Sequence, residues 1–214
     1  MNKRLAIIGS SDLGQLIAHH ASLLPSFRVV GFYDDYVDSS ELRAGFPILG
    51  KIAQLRADYA AGVFDELMVG IGYNHMSFRE SVFTDFSKGI PFATVIHPSA
   101  SIDPSVHISA GCFVLPGCVL DRNVVLAENV LLNTGVVIAH DSKVGAHSFV
   151  SPAVKIAGFT KIGIGCVIGI GSILIDNIEL ADYVRTGAGT LVVKTLTKSG
   201  LYFGSPAKYR EVEN

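Results

Sequence analysis

From Ile102 to Val192 the chain repeats an apolar position every sixth residue. The series runs Ile102, Ile108, Val114, Leu120, Leu126, Leu132, Ile138, Val144, Val150, Ile156, Ile162, Ile168, Leu174, Leu180 and Val192, and Thr186 is its one departure. An α-helix repeats every ~3.6 residues and a half-buried strand every second residue, so neither produces a strict period of six. A stack of short strands joined by tight turns does: each hexad supplies one strand and one turn, and three hexads close a triangular coil. Four residues after each aliphatic comes a small or β-branched side chain, as in Cys112, Cys118, Val124, Val130, Val136, Ser142, Ser148, Val154, Thr160, Cys166 and Ser172. Strand residues two apart share a face, so this residue and the next aliphatic both point inward. Gly111, Gly117, Asn123, Asn129, Gly165 and Gly171 recur where the turns need a permissive backbone. Fifteen hexads predict a β-helix of five coils.

Residues 1–96 lack the hexad. Lys3–Ile8, Phe27–Tyr33 and Leu67–Ile71 read as strands, with a fourth near Phe92–Ile96, and Leu16–Leu24 and Phe78–Lys88 as helices. Alternating β and α segments predict a small Rossmann-like α/β domain with a parallel sheet. The expected division is therefore an α/β domain over 1–96 and an all-β parallel β-helix over 97–214. Ligands of such sheets bind beyond the carboxyl ends of the strands. That edge carries Gly9-Ser10-Ser11-Asp12-Leu13-Gly14, the pair Asp34-Asp35, and Gly72-Tyr73-Asn74. The Gly9 and Gly14 spacing is that of a dinucleotide loop, but Ser11 replaces the middle glycine that lets a pyrophosphate approach the backbone. A nucleotide or nucleotide sugar fits this loop better than a full dinucleotide. Gly9, Ser10, Ser11, Gly14, Asp34, Asp35, Gly72 and Asn74 are its candidate contacts.

Charge and cysteines narrow the picture. A net charge of −2 over 214 residues gives no electrostatic reason to bind nucleic acid or an anionic membrane. No apolar run reaches the roughly 18 residues of a membrane span. Met1-Asn2-Lys3-Arg4 precedes too short an apolar stretch for a signal peptide and reads as the approach to the first strand. Cys112, Cys118 and Cys166 all take the small inward slot, as buried hydrophobes rather than disulfides or zinc ligands. A reducing cytoplasm is expected.

The two halves together resemble the bacterial sugar O- and N-acyltransferases with hexapeptide repeats, including the nucleotide-4-amino-sugar N-acetyltransferases and the sialic-acid O-acetyltransferase-like proteins. The marks are the Gly9–Gly14 loop, Asp34-Asp35, Gly70-Ile71-Gly72-Tyr73-Asn74 with Arg79, and Ile96-His97-Pro98-Ser99-Ala100. Further marks are Leu132-Asn133-Thr134-Gly135, Ile138-Ala139-His140-Asp141, Ala157-Gly158, and Gly204-Ser205-Pro206-Ala207-Lys208. The resemblance implies a left-handed β-helix, a homotrimer, and acetyl-CoA in a groove between neighbouring subunits. It implies a nucleotide-linked 4-amino-4,6-dideoxy sugar in the N-terminal domain, and His140 beside the thioester. It carries Asn133 to the sugar, and Gly158, Ile170, Ala188 and Lys208 to the acyl-CoA groove.

Of the seven histidines, position alone reads His140 as a surface residue, and it is the resemblance that implies a general base there, a role an imidazole can fill by accepting a proton from an attacking amine at neutral pH. Asp141 could fix its tautomer from the other ring nitrogen if it lies in a turn, whereas in a strand adjacent side chains point apart. Relatives commonly carry a second histidine nine residues on, where this chain has Phe149. His147 is the nearby substitute and is grouped with the cofactor-binding residues, the alternative being a surface residue. The expected reaction is direct acetyl transfer without an acyl-enzyme and without a metal. Three alternatives stay open. The first is O-acetylation of sialic acid or a related sugar. The second is a zinc site built from His107, His140 and His147. The third is a non-catalytic nucleotide-sugar-binding protein.

Overall fold

The computed structural model describes residues 2–211. The chain divides between Val95 and Ile96 into two compact units.

The first unit is an α/β layer structure. Strands β1 (Lys3–Ile8), β2 (Phe27–Tyr33), β3 (Leu42–Arg43), β4 (Phe46–Gly50) and β5 (Glu66–Val69) form one sheet in the order β3-β4-β2-β1-β5. All neighbours are parallel except β3 and β4, which form an antiparallel hairpin. Helix α1 (Asp12–Ser22) buries Gly14, Ile17, Ala18 and Ala21, the spacing of a single apolar stripe. Helices α2 (Leu55–Ala60) and α3 (Met76–Phe86) complete the unit. Ala6, Ile8, Tyr33, Leu55, Phe64, Leu67 and Val69 form much of its core. Three expectations need correction. The β3–β4 hairpin and α2 lie between Asp35 and Leu67, where no element was expected. The expected fourth strand does not join this sheet: Phe92 makes only an isolated bridge to Leu67, and Val95–Ile96 pairs instead beside Phe113–Val114.

The second unit is a left-handed parallel β-helix. Its two-residue strands stack into three ladders whose register advances 18 residues per coil, as in Val119 against Val137 and Leu120 against Ile138. The first ladder sends Leu120, Ile138, Ile156, Leu174 and Val192 into the core. The second sends Leu126, Val144, Ile162 and Leu180, and the third Val114, Leu132, Val150 and Ile168. Each fully buried aliphatic of this kind contributes about 1.5–3 kcal/mol. The small inward slot has a second use. Cys112 Sγ, Cys118 Sγ, Ser142 Oγ, Ser148 Oγ, Thr160 Oγ1, Cys166 Sγ and Ser172 Oγ each donate to the carbonyl 15 residues ahead: Ala127, Asn133, Ala157, Gly163, Ile175, Ala181 and Gly187. Polar hydrogens therefore enter the core without being stranded. Thr186, the exception in the hexad, is buried and accepts a bond from the Gly169 N–H at 2.8 Å, with Ser172 Oγ 3.1 Å away.

The turns carry a period of six of their own. Every sixth residue from Gly111 to Gly189 has a positive φ. Glycine or asparagine fills most of these left-handed positions, but Asp141, His147, Ala153, Phe159 and Tyr183 also occupy them, at φ of 57 to 63°. Bulky residues are uncommon there and mark places where surroundings outweigh local preference. After the last hexad, Gly200–Phe203 adds a parallel strand to the third ladder beside Val184–Thr186, and Tyr202 fills the inward slot. Lys208–Arg210 then pairs antiparallel with Gly200–Phe203.

Candidate functional site

In the first unit, the carboxyl ends of β1, β2 and β5 open into a cavity of about 800 Å³. The β1–α1 loop forms one wall. Gly9 adopts φ of 92°, and a Cβ on Gly14 would stand 2.0 Å from the Gly9 carbonyl oxygen. The loop and helix therefore approach each other only because both residues are glycine. Ser11 has an extended backbone with φ of −74°, so it tolerates a side chain. Asp34 locks the loop to the end of β2. Its Oδ2 accepts from the Ser10 N–H at 2.9 Å and the Ser10 hydroxyl at 2.7 Å, and its Oδ1 accepts from the Tyr36 N–H at 2.9 Å. Burial pushes the Asp34 carboxyl up, but these bonds and one from the Val37 N–H outweigh it and hold the group below the ordinary range.

Gly9, Ser10, Ser11, Asp34, Asp35 and Gly72 all line this cavity. Gly14 lies buried behind the loop, where it sets the packing instead. Asn74 is exposed in the one-turn helix Tyr73–His75 and does not line the cavity, whereas His75 beside it does. Asp34 is not a free acceptor waiting for a ribose hydroxyl, since both its oxygens already serve the loop. Asp35 accepts from the Ile52 N–H at 2.9 Å through Oδ1. Gln15, Tyr36, Arg43 and Phe78 also face the cavity and were not anticipated. Only Gln15, one turn into α1 and bonded to the Ser10 carbonyl at 3.0 Å, carried a signal in its position.

In the second unit, His140 and Asp141 occupy the corner between the first and second ladders. Asp141 is in the left-handed conformation, with φ of 59°. That turn brings its side chain back beside its neighbour, and Asp141 Oδ2 lies 2.9 Å from His140 Nδ1. Asn123 Nδ2 donates to Asp141 Oδ1 at 2.9 Å, and an Arg122 guanidinium nitrogen reaches Oδ2 at 3.3 Å. The Asn123 bond, then the bond from His140 and the Arg122 guanidinium, together hold the Asp141 carboxyl at about 2 despite opposing desolvation. The other ring nitrogen, Nε2, has no hydrogen-bond partner among the described residues, and the His140 side chain is 43% exposed. Phe159 stands edge-on to the imidazole with centroids 5.1 Å apart. On the next coil a Cβ at Gly158 would meet His140 Cε1 at 2.9 Å and Nε2 at 3.1 Å. Glycine there is what lets the ring lie flat against the coil. Asn123 and Arg122 were missed as site residues, although both sit one coil, 18 residues, before the His140 pair.

The remaining candidates distribute over other corners. Asn133 is half-buried in the turn preceding the Val137–Ile138 strand, and its Oδ1 accepts from the Thr134 N–H. Ile170 and Ala188 stack one coil apart at the corner between the third and first ladders, with the Gly189 N–H bonded to the Ile170 carbonyl. Lys208 is exposed on the terminal hairpin. Within one chain, then, Gly158 lies on a different corner from Ile170 and Ala188. His147 requires correction as a surface residue. It is buried in a left-handed turn, with Nδ1 3.1 Å from Asn129 Nδ2, so it packs into the corner column. Phe149 is a buried strand residue. The cysteines are fully buried, and burial pushes Cys118 up and Cys166 up to about 11, which suits inert thiols. Among the described residues no group of three or more His, Cys, Asp or Glu is arranged to hold a metal ion. No helix among them is long and apolar enough to cross a membrane.

Residues 4–86 match the PglD N-terminal domain family. The chain is similar to the acetyltransferase domain of PglB from Neisseria gonorrhoeae FA1090. The two are 28% identical with a TM-score of 0.91, over 98% of this chain and all of that one. It is also similar to PerB from Caulobacter crescentus, solved in complex with CoA and GDP-perosamine. There the identity is 28% and the TM-score 0.88, over 97% of both chains. Among curated proteins, UDP-3-O-acylglucosamine N-acyltransferase of Delftia acidovorans is 40% identical over 67 residues, or 31% of this chain. The chain spans about a fifth of the length of the curated relatives it matches.

Proposed function

We propose that the chain, which is similar to the bacterial sugar acyltransferases built on hexapeptide repeats, transfers an acetyl group from acetyl-CoA to the 4-amino group of a nucleotide-linked 4-amino-4,6-dideoxy sugar. The observation that carries the reading is the His140–Asp141 pair: Nδ1 bonded to a carboxylate at 2.9 Å and Nε2 left without a partner. An ionised carboxylate accepts the Nδ1 proton, so the lone pair stands on Nε2, where a base is needed.

In this mechanism the neutral sugar amine attacks the thioester carbonyl carbon. A C–N bond forms, the carbonyl π electrons move to oxygen, and backbone N–H groups steady the oxyanion. His140 Nε2 takes the proton released by the amine. As the oxyanion collapses, the C–S bond breaks and the imidazolium returns its proton to the thiolate, leaving amide and free CoA thiol. Asp141 stabilises the imidazolium between those two transfers. No covalent acyl-enzyme is needed, and the three buried cysteines supply no nucleophile.

The cavity beyond β1, β2 and β5 is the proposed seat of the nucleotide, with the loop N–H groups at the start of α1 facing its phosphates. PerB, bound to CoA and GDP-perosamine, supports this pairing of substrates. The acyl-CoA groove is proposed to involve Gly158, Ile170, Ala188 and Lys208. Since Gly158 lies on another corner from the stacked Ile170 and Ala188, one groove touching all of them calls for more than one copy of the chain, and the homotrimer that the resemblance implies is the proposed assembly. The proposed compartment is the cytoplasm.

The test is thiol release from acetyl-CoA with UDP-, dTDP- and GDP-linked 4-amino-4,6-dideoxy sugars, for the wild type and His140→Ala. Turnover with one sugar and a loss of about 10²-fold or more in the variant is expected. Turnover untouched by the substitution would remove His140 as the base.

A further inference from the structure

The base does not stand on Asp141 alone. At the corner between the first and second ladders, a line of hydrogen bonds climbs through three coils. Asp103 Oδ1 accepts from the Ser105 N–H at 2.9 Å and the Ser105 hydroxyl at 2.6 Å. Ser105 Oγ accepts from the Asn123 N–H at 2.8 Å. Asn123 Nδ2 donates to Asp141 Oδ1 at 2.9 Å, and Asp141 Oδ2 meets His140 Nδ1. The spacing 105, 123, 141 is one coil per step. Asn123 and Asp141 share the left-handed conformation, both at φ of 59°, so their side chains leave the corner in the same direction and meet.

We infer that Asn123 is a positioning residue for His140: by holding one oxygen of Asp141 it aims the other at Nδ1 and so fixes the imidazole tautomer. This rests on the reading of His140 as the base. The need is chemical. A histidine side chain free in water prefers its proton on Nε2, the opposite of what the reaction requires. A half-buried aspartate can still rotate about χ1 and χ2 between several partners, and its neighbour Arg122 offers a competing one at Oδ2. Asn123 removes that freedom by binding Oδ1 from the far side. Its amide can face the carboxylate only with nitrogen inward, since the oxygen would repel it. Ser105 Oγ, itself tied to Asp103, holds the Asn123 backbone N–H, so the residue that carries the amide is anchored to the coil below. Asn123 touches no substrate in this scheme and acts only through Asp141.

Asn123→Gly removes the amide and keeps a residue at ease with positive φ. The primary readout needs no sugar: nitrogen NMR of the full-length protein with 15N-labelled histidine rings, the His140 signals identified by their loss in His140→Ala. The wild type is expected as the Nδ1–H tautomer, and Asn123→Gly as a mixture with substantial Nε2–H. Asn123→Asp, which sets a second carboxylate against Asp141, shifts it further. In the thiol-release assay kcat falls roughly 10- to 100-fold, with the KM for acetyl-CoA unchanged. Should Asn123→Gly fold poorly, Ser105→Ala, one coil removed, gives a smaller shift in the same direction. An unchanged tautomer and unchanged kcat in Asn123→Gly would overturn the inference. If His140→Ala keeps full turnover while Asn123→Gly still changes the tautomer, it is the base assignment that fails and not the positioning.

Discussion

Gly158 offers the sharpest separation between two roles, one beside His140 and one in the acyl-CoA groove. In Gly158→Ala the new methyl would stand 2.9 Å from His140 Cε1, 3.1 Å from Nε2 and 3.3 Å from the His140 carbonyl oxygen. Ordinary contact begins near 3.4 Å, so the ring must retreat by about half an ångström at Cε1. The carbonyl cannot retreat with it, because it accepts the Phe159 N–H. The retreat is therefore a rotation of the side chain, at the expense of the 2.9 Å bond to Asp141. A rotated ring end costs the fold little, and replacing glycine by alanine at an unstrained φ returns about 0.4–1 kcal/mol from the unfolded chain. The melting temperature should then stay within about 3 °C of the wild type. Catalysis should not: a displacement of this size at the base lowers kcat by roughly 10- to 100-fold, or about 1.4–2.7 kcal/mol of barrier. Thiol release at saturating acetyl-CoA, with a parallel thermal melt, measures both. A normal kcat with a raised KM for acetyl-CoA would refute this reasoning and assign Gly158 to the groove alone. A melting temperature several degrees lower would show that backbone, not the ring, absorbs the methyl.

The Asp141 carboxyl is depressed from 3.8 to about 2 in the folded protein. A depressed carboxylate adds stability that is complete above its unfolded value and disappears as pH falls through the folded one. The stability gap between wild type and Asp141→Asn should thus be constant above pH ~5 and close between pH ~4 and ~2, read by denaturant melts across that range. A gap that stays constant through the acid range would show that the carboxylate is not held by its partners. Gly14→Ala sets a Cβ 2.0 Å from a backbone oxygen, and overpacking against backbone costs about 1–3 kcal/mol or more. Urea unfolding followed within the first unit would reveal it, and a variant as stable as the wild type would mean the loop is not pinned as described.

The hexad made the second unit legible because a β-helix imposes its period on every coil, and even Thr186 departs for a local reason, its bond to Gly169. The site was legible only where its residues are neighbours in sequence. His140 and Asp141 stand together, yet their contact depends on the positive φ of Asp141, a property of the turn that an aspartate alone does not announce. Asn123 reads as a turn asparagine until it is compared with the residue 18 places on. His147 looks polar and external, but the left-handed corner and Asn129 bury it. In the first unit no repeat helps. The β3–β4 hairpin hides behind Gly45 and Pro47, because strand pairing there is decided by β2 and not by the local sequence.

The terminal hairpin changes the direction of the third ladder at its edge. A parallel ladder behaves like the face of a growing crystal: each coil presents the next one with the same lattice, and nothing in the hexad says how many layers to lay down. Lys208–Arg210 docks on the last layer with its direction reversed. It acts as a crystal poison does, accepting the lattice on one side and offering a mismatched one on the other. The third ladder therefore ends on an antiparallel strand, and the parallel register of the coils is not repeated at that edge. A chain cut before that reversal would retain every coil and present, on the third ladder, a parallel edge with the register of the coils beneath it.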